Sequence, residues 1–425
     1  MFQGPTQVTS IPADLGSVST YPLLRLESMP TRHKTLFSYQ CFVPYPEAAV
    51  PHSLQGSLSG LTFGVKDLFD VAGYPTGCGS PHMLALSGIK AANADVVDRL
   101  LAAGAQFSGK THSDELAFSM VGKNVHFGIP VNGAAPDRVC GGSSSGSASA
   151  VSNNLCNFAI GTDTGGSVRA PASHCGLFGL RPTHGRVSLQ GCMPLSPSLD
   201  TCGWFGRDAK TLVEVGCVLL GENTGPRPGR WRILVPRKIL ADVRPHVSPV
   251  FSGTLRQVAE RLGAKIYQED LTSVSLDEIC NAFRYIQGYE AWLGLGDLVE
   301  EHQFQLGETV RERFAWSKTV TKSQYDAAMR VRAKFQQEID TLLGADTLLV
   351  MPTMPDVAPL KTTPDNELDA YRFEAIRLLC VSGLSGCPQV TAPIMQIDGT
   401  PLGLSLLGPR NMDLALLSVA CQVST

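Results

Sequence analysis

The sequence predicts an α/β fold, one domain built around a mixed sheet. Three observations carry that expectation. In a short run, Leu61, Phe63 and Val65 share one face and Thr62, Gly64 and Lys66 the other, which is the period of a strand. Residues 94–103 are amphipathic with a helical period stopped by Gly104, and residues 105–109 read as a strand. Further along, a strand over 231–235, a helix over 247–262 and a strand over 264–268 repeat the alternation.

Residues 1–58 are rich in Pro and Ser, have little periodicity, and read as an N-terminal extension laid over a domain that occupies 59–425. Residues 225–345 differ in texture. The stretch 276–345 looks mainly helical and carries much of the charge, so it is expected to cover one side of the sheet. The apolar run Leu348-Leu349-Val350-Met351 is a buried strand ended by Pro352. Residues 389–395 and 402–407 flank Ile397-Asp398-Gly399-Thr400, a hairpin signal.

Composition narrows the function. With 43% hydrophobic and 17% charged residues, the chain can bury a large core. A net charge of −3, with scattered Lys and Arg, offers no footprint for nucleic acid. The expected partner is a small neutral or weakly charged molecule. The 12 cysteines contain no C-x-x-C pair, which argues against a zinc ribbon or a dithiol redox site. Together with the lack of a secretory leader, they suggest reduced thiols in a cytoplasmic protein. No apolar run reaches the length of a membrane span.

Three motifs compete for the chemistry. Gly104-Ala105-Gln106-Phe107-Ser108-Gly109-Lys110-Thr111 matches a Walker A phosphate loop letter for letter. A true phosphate loop joins a strand to a following helix, whereas here the helix comes first and the match itself reads as a strand. Gly142-Ser143-Ser144-Ser145-Gly146 matches the G-x-S-x-G elbow with Ser144 as nucleophile. That reading needs an acid and a His downstream, and His174, His184, His246 and His302 stand in no recognisable catalytic context.

The third constellation is longer: Gly141-Gly142-Ser143-Ser144-Ser145-Gly146-Ser147-Ala148, then Gly161-Thr162-Asp163-Thr164-Gly165-Gly166-Ser167-Val168-Arg169. Gly/Ser stretches are often plain linkers, but Val151, Leu155, Phe158 and Ile160 between these two are core-like. A serine is a poor nucleophile until a base takes its proton. Gly165 and Gly166 let successive backbone N–H groups converge on one point, as an oxyanion hole requires, and one such donor is worth about 3 kcal/mol. Asp163 and Arg169 flank the turn and are placed to hold it by polar contacts. Lys66 ends an otherwise apolar strand. Burial there would disfavour its charge and turn an ordinary surface cation into a base.

These residues resemble the amidase signature family. The matching pieces are Gly64-Val65-Lys66-Asp67, the two glycine-rich runs, residues 175–183 (Cys-Gly-Leu-Phe-Gly-Leu-Arg-Pro-Thr), Asp200-Thr201-Cys202-Gly203 and residues 401–408. The resemblance is dense over 60–215 and loose over 345–420. It implies a single α/β/α domain with a large mixed sheet covered by helices. It also implies Ser167 as nucleophile, Ser143 (following a cis peptide bond) as proton relay, Lys66 as base, and Ser144 in support. The oxyanion donors would be the backbone N–H groups of Thr164, Gly165, Gly166 and Ser167. No metal or organic cofactor is implied.

Within the family, Asn124-Val125-His126-Phe127-Gly128, residues 135–139 and residues 174–179 resemble the plant amidase 1 type, the indole-3-acetamide hydrolases. The extension and residues 225–345 depart from it. The family's loop at Phe118, Ser119 and Met120 helps shape the acyl pocket. Together with Phe127 these residues suit an aromatic or apolar acyl group, or are simply core. The expected activity is hydrolysis of a small, aryl-containing amide to carboxylate plus ammonia or amine. Alternatives are carbamates, anilides or esters on the same triad, the glutaminase subunit of a transamidating complex, a P-loop nucleotide-binding protein, and a silent scaffold. No nucleic-acid or membrane partner is expected, and a homodimer is compatible with the sequence.

Overall fold

The computed structural model describes residues 39–221, 228–240 and 243–424. Its centre is one ten-stranded sheet. In chain order the strands are β1 (Thr62–Lys66), β2 (Gln106–Thr111), β3 (Phe158–Thr162), β4 (Phe178–Arg181) and β5 (Cys202–Gly206), then β6 (Arg232–Pro236), β7 (Lys265–Glu269), β8 (Thr347–Pro352), β9 (Gln389–Ile397) and β10 (Thr400–Leu407). Their order across the sheet is β2-β1-β3-β5-β4-β9-β10-β8-β6-β7. The two ends are parallel, β2-β1-β3 and β8-β6-β7, and the middle is antiparallel. The sheet is therefore mixed, in a single α/β domain, as the alternation of sequence patterns predicts.

The sequence-level strands and helices reappear with shifted ends. The 94–103 helix is Asp95–Ala102, with Val96, Val97, Leu100 and Leu101 buried. The hairpin is β9 and β10, turning at Asp398 and Gly399, both with positive φ. The helical stretch after 276 is three helices, Leu276–Glu301, Glu308–Lys318 and Lys322–Leu343. The first of these and the last each open with a capping box, Ser275/Glu278 and Thr321/Gln324. The helix Asp365–Ser385 packs against both of them.

Of the N-terminal extension, residues 1–38 lie outside the described residues. Residues from Tyr39 onward run along β2: Phe42 bridges Thr111, and the Val43 N–H donates to the Lys110 carbonyl at 2.8 Å. Among the described residues no helix is long and apolar enough to cross a membrane.

The core beneath the site is aromatic. Phe63 on β1 stacks on Phe158 on β3 at 5.4 Å between ring centres. Trp204 on β5 is fully buried and donates its indole N–H to the Leu212 carbonyl at 2.9 Å. These contacts fix β1 beside β3, and so fix the ends of both strands. Phe158→Ala is expected to lower unfolding free energy by about 3–5 kcal/mol, read from urea denaturation midpoints.

Candidate active site

Two strand ends and two helix starts meet at one point. Lys66 is the last residue of β1 and Thr162 the last of β3, on adjacent parallel strands. The chain leaves β3 through Asp163-Thr164-Gly165-Gly166-Ser167 and enters the helix Arg169–His174. The first glycine-rich run makes the cis Gly142–Ser143 peptide and enters the helix Ser145–Ser152.

Lys66 is wholly buried. Its Nζ donates to Ser143 Oγ and to Thr162 Oγ1, both at 2.7 Å. Burial lowers its pKa to about 8, opposed by the more distant carboxylates of Asp114, Asp163 and Asp200. Roughly a tenth of it is then neutral at pH 7. Ser143 is held through its backbone as well, its carbonyl accepting from the Asp114 N–H at 3.0 Å.

Ser144 is a brace. Its N–H donates to the Ser167 carbonyl at 3.3 Å and its hydroxyl to the Thr162 carbonyl at 3.2 Å, so it ties the two runs together. The imidazoles lie elsewhere, His174 on Tyr371, His184 on the Pro197 carbonyl and His246 on Asp356. Among the described residues no imidazole is hydrogen-bonded to Ser144, as an elbow nucleophile there would need. The Walker-like run is spent on structure too. Lys110 lies inside β2, where its Nζ pairs with Asp67 at 2.9 Å and donates to the Phe69 carbonyl at 2.7 Å.

The turn 163–169 is organised by Asp163. Its carboxylate accepts from the N–H groups of Gly166 (2.9 Å), Val168 (3.1 Å) and Arg169 (3.2 Å). It also binds the guanidinium of Arg169 through two nitrogens and that of Arg181 through one. Burial alone would raise this carboxyl's pKa, but the two guanidiniums and the N–H donors hold it well below the usual carboxylate range. Arg169 is itself fixed by the Leu379 carbonyl and Gln389 Oε1, both at 2.8 Å. Asp163 and Arg169 thus hold the turn as their flanking positions predict.

One expectation needs correcting. The Gly166 N–H is already committed to Asp163, so it is not one of the donors the turn leaves open. The N–H groups of Thr164, Gly165 and Ser167 form no hydrogen bond among the described residues. The cause is the short Asp163 side chain, which reaches the third residue after it, as in a helix cap. Glycine is required at both central positions. Gly166 has φ +128°, and a Cβ there would sit 2.5 Å from Leu379 Cδ1; one on Gly165 would sit 2.7 Å from Phe283.

Ser167 is 6% exposed, and its hydroxyl forms no hydrogen bond among the described residues. It opens into a pocket with about 290 Å³ of empty space, walled by Phe118, Ser119, Met120, Phe283 and Ile376 and reached by Gln287 and Arg372. A wider cavity of about 770 Å³ approaches Thr162 and Thr164 from Met193 and Asp200. Phe118, Ser119 and Met120 line this pocket, and Phe127 does not. Residues 124–128 close a tight turn in which the Asn124 side chain caps the N–H groups of His126 and Phe127. That turn points the Phe127 ring at His112 and His126.

Thr162, Arg181, Gln389 and Arg372 escape the sequence reading. For Thr162 a local signal existed, since it sits inside the glycine-rich run. Arg181 lies within the run 175–183 but, like Gln389 and Arg372, takes its role only from contacts across the fold.

A buried lysine under a hydroxyl pair, beside a glycine turn that presents a free serine, defines a class of hydroxyl–amine site on an α/β sheet. Residues 45–229 match the family model "Amidase". The chain is 38% identical to "Amidase 1" of Arabidopsis thaliana over 85% of its own length and 92% of that protein's. It is 36% identical to "Amidase 1" of Oryza sativa subsp. japonica over 87% and 91%. Among solved structures, a crystal structure of an amidase superposes with a TM-score of 0.81 at 28% identity, covering 92% of this chain and 93% of that one. The chain belongs to the amidase signature family, and it is an amide-hydrolysing enzyme.

Asp163→Asn is expected to destabilise the fold by about 3–5 kcal/mol near neutral pH, because Arg169 and Arg181 would lose the carboxylate that both contact. The wild-type carboxyl is depressed on folding. Its contribution is therefore present above the unfolded carboxylate range, near pH 4, and fades below it. The difference between variant and wild type should narrow as pH falls below about 4, a trend that urea melts at several pH values would read.

Proposed function

We propose that the enzyme hydrolyses small amides through an acyl-enzyme on Ser167, with Ser143 relaying the proton and Lys66 as base. The observation that supports this most is the 2.7 Å contact between the buried Lys66 Nζ and Ser143 Oγ. With two hydroxyls as its hydrogen-bond partners and no carboxylate within bonding distance among the described residues, the amine can lose its proton near neutral pH.

In the proposed sequence Ser167 Oγ attacks the amide carbon and its proton passes through Ser143 to neutral Lys66. The oxyanion is received by the N–H groups of Thr164, Gly165 and Ser167. The C–N bond then breaks, the proton returns to the departing nitrogen, and ammonia or an amine leaves. Water, activated along the same path, cleaves the ester and releases the carboxylate. The sum is amide plus water giving acid plus amine.

For the acyl group, the Phe118, Met120 and Phe283 walls support an apolar, aryl-bearing portion next to the carbonyl. Carbamates, anilides and esters remain alternatives on the same site, because the acyl-enzyme step tolerates different leaving groups. Nucleotide binding at residues 104–111 finds no support, since Lys110 is consumed by Asp67. A cytoplasmic setting stays part of the proposal on the cysteine pattern given above.

Ammonium release from a panel of primary amides (indole-3-acetamide, benzamide and glutamine) tests the class. Ser167→Ala is expected to lower turnover at least about a thousandfold. Because Lys66 must be unprotonated to act, kcat/KM should rise with pH and level off above about 8. Lys66→Ala should lower the rate by about a hundredfold or more and abolish that rise. A rise that persists in Lys66→Ala would remove Lys66 from the role of base.

A further inference from the structure

The pocket in front of Ser167 carries a feature that an apolar acyl group leaves unexplained. Arg372, from the helix Asp365–Ser385, reaches this pocket and also walls the adjoining cavity at His174 and Met354. Its guanidinium forms no salt bridge and no hydrogen bond among the described residues, and its Nε is buried without an acceptor.

The charged groups around it do not resolve this. Asp369, one turn earlier on the same helix, is taken by Arg313 Nη2 at 2.9 Å. Arg313 also donates to the Phe118 carbonyl. Arg284 lies over the Trp316 ring at 5.1 Å and the Phe373 ring at 5.2 Å. Arg372 is itself 5.8 Å from the centre of the Phe373 ring. A contact with a ring face leaves the in-plane N–H donors unused. Arg313 thus takes the acid that could balance Arg372, and burial and the guanidiniums of Arg313 and Arg284 disfavour the charge on Arg372.

A buried guanidinium without an acceptor is costly unless something supplies one. Two neutral polar groups lie on the same wall. Gln287 is 8% exposed and its amide forms no hydrogen bond among the described residues, while the Ser119 hydroxyl accepts from the Val121 N–H at 3.3 Å.

We infer that Arg372 and Gln287 form an anion subsite in the acyl pocket, and that the preferred substrate is the monoamide of a dicarboxylic acid. The apolar stretch between its two ends lies against Phe118, Met120 and Phe283. The free carboxylate meets the in-plane N–H donors of Arg372 and the amide of Gln287. This rests on the amide-hydrolase reading and adds the class of acyl group.

The test pairs turnover with binding. Turnover is measured as kcat/KM for glutaramate against pentanamide, its neutral analogue of equal chain length. Binding is measured calorimetrically with glutarate, the product, which needs no chemistry. Wild type is expected to favour glutaramate by about tenfold or more, and to bind glutarate with an affinity about tenfold weaker in Arg372→Met. The glutaramate-to-pentanamide ratio should collapse toward one in Arg372→Met. Gln287→Glu, a near-isosteric change that places a carboxylate on the same wall, should weaken glutarate binding at least as much; it keeps the test intact if the arginine variant does not fold. Turnover of both amides without preference, or glutarate binding insensitive to both variants, overturns the subsite. Glutarate binding that depends on Arg372, with no turnover of any amide, supports the subsite and instead contradicts the amide-hydrolysis reading.

Discussion

The site depends on keeping one amine out of water. A lysine at a strand end is normally solvated and charged, and burying it disfavours the ammonium by several kcal/mol. Here the amine is wholly buried at the end of β1, and hydroxyls on two other segments meet it. A carboxylate in their place would favour the charged ammonium. Ser143 and Thr162 satisfy the hydrogen-bonding needs of the amine without fixing its proton, which is the electrostatic condition for a general base near neutrality. The parallel pairing of β1 with β3 puts both strand ends at one level, and the stacked Phe63 and Phe158 hold that pairing from within.

The second constraint separates charge from chemistry. Asp163 is ionised and saturated by two guanidiniums and three backbone donors, so it shapes the turn and acts on the lysine only from a distance. Its network runs on through Arg169 to Gln389 on β9 and the Leu379 carbonyl, tying the antiparallel half of the sheet and the helix Asp365–Ser385 to the turn. The glycine pair completes the arrangement. Leu379 and Phe283 press on Gly166 and Gly165 so closely that a side chain at either position would force a shift around the turn.

What the sequence discloses about this site is what is local. Ser143 and Ser167 sit in runs whose composition makes sense only as tight backbone geometry around small side chains, and Lys66 ends an apolar strand. The alternation of strand and helix likewise exposes the mixed sheet. What it hides is set by distance along the chain. Arg181 and Gln389 look like ordinary strand residues until the fold brings the first to Asp163 and the second to Arg169. Arg372 gains meaning only once Asp369, the acid beside it, is seen to be taken by Arg313. The helix Asp365–Ser385 loses its amphipathic signature because nearly every residue of its second half is buried. Phe127 misleads for the opposite reason: a neighbouring asparagine, which a composition argument ignores, turns it away from the pocket. The Gly166 N–H is misassigned because the preceding aspartate competes for it.

The direct measurement is to trap the nucleophile. Incubation with a fluorophosphonate, followed by peptide mass mapping, would locate the covalent label, and its rate could be followed across pH. The account predicts a single label on Ser167, formed faster as pH rises through about 8, with that dependence lost in Lys66→Ala. A label on Ser144, or labelling of Ser167 with the same pH dependence in the absence of Lys66, would contradict it.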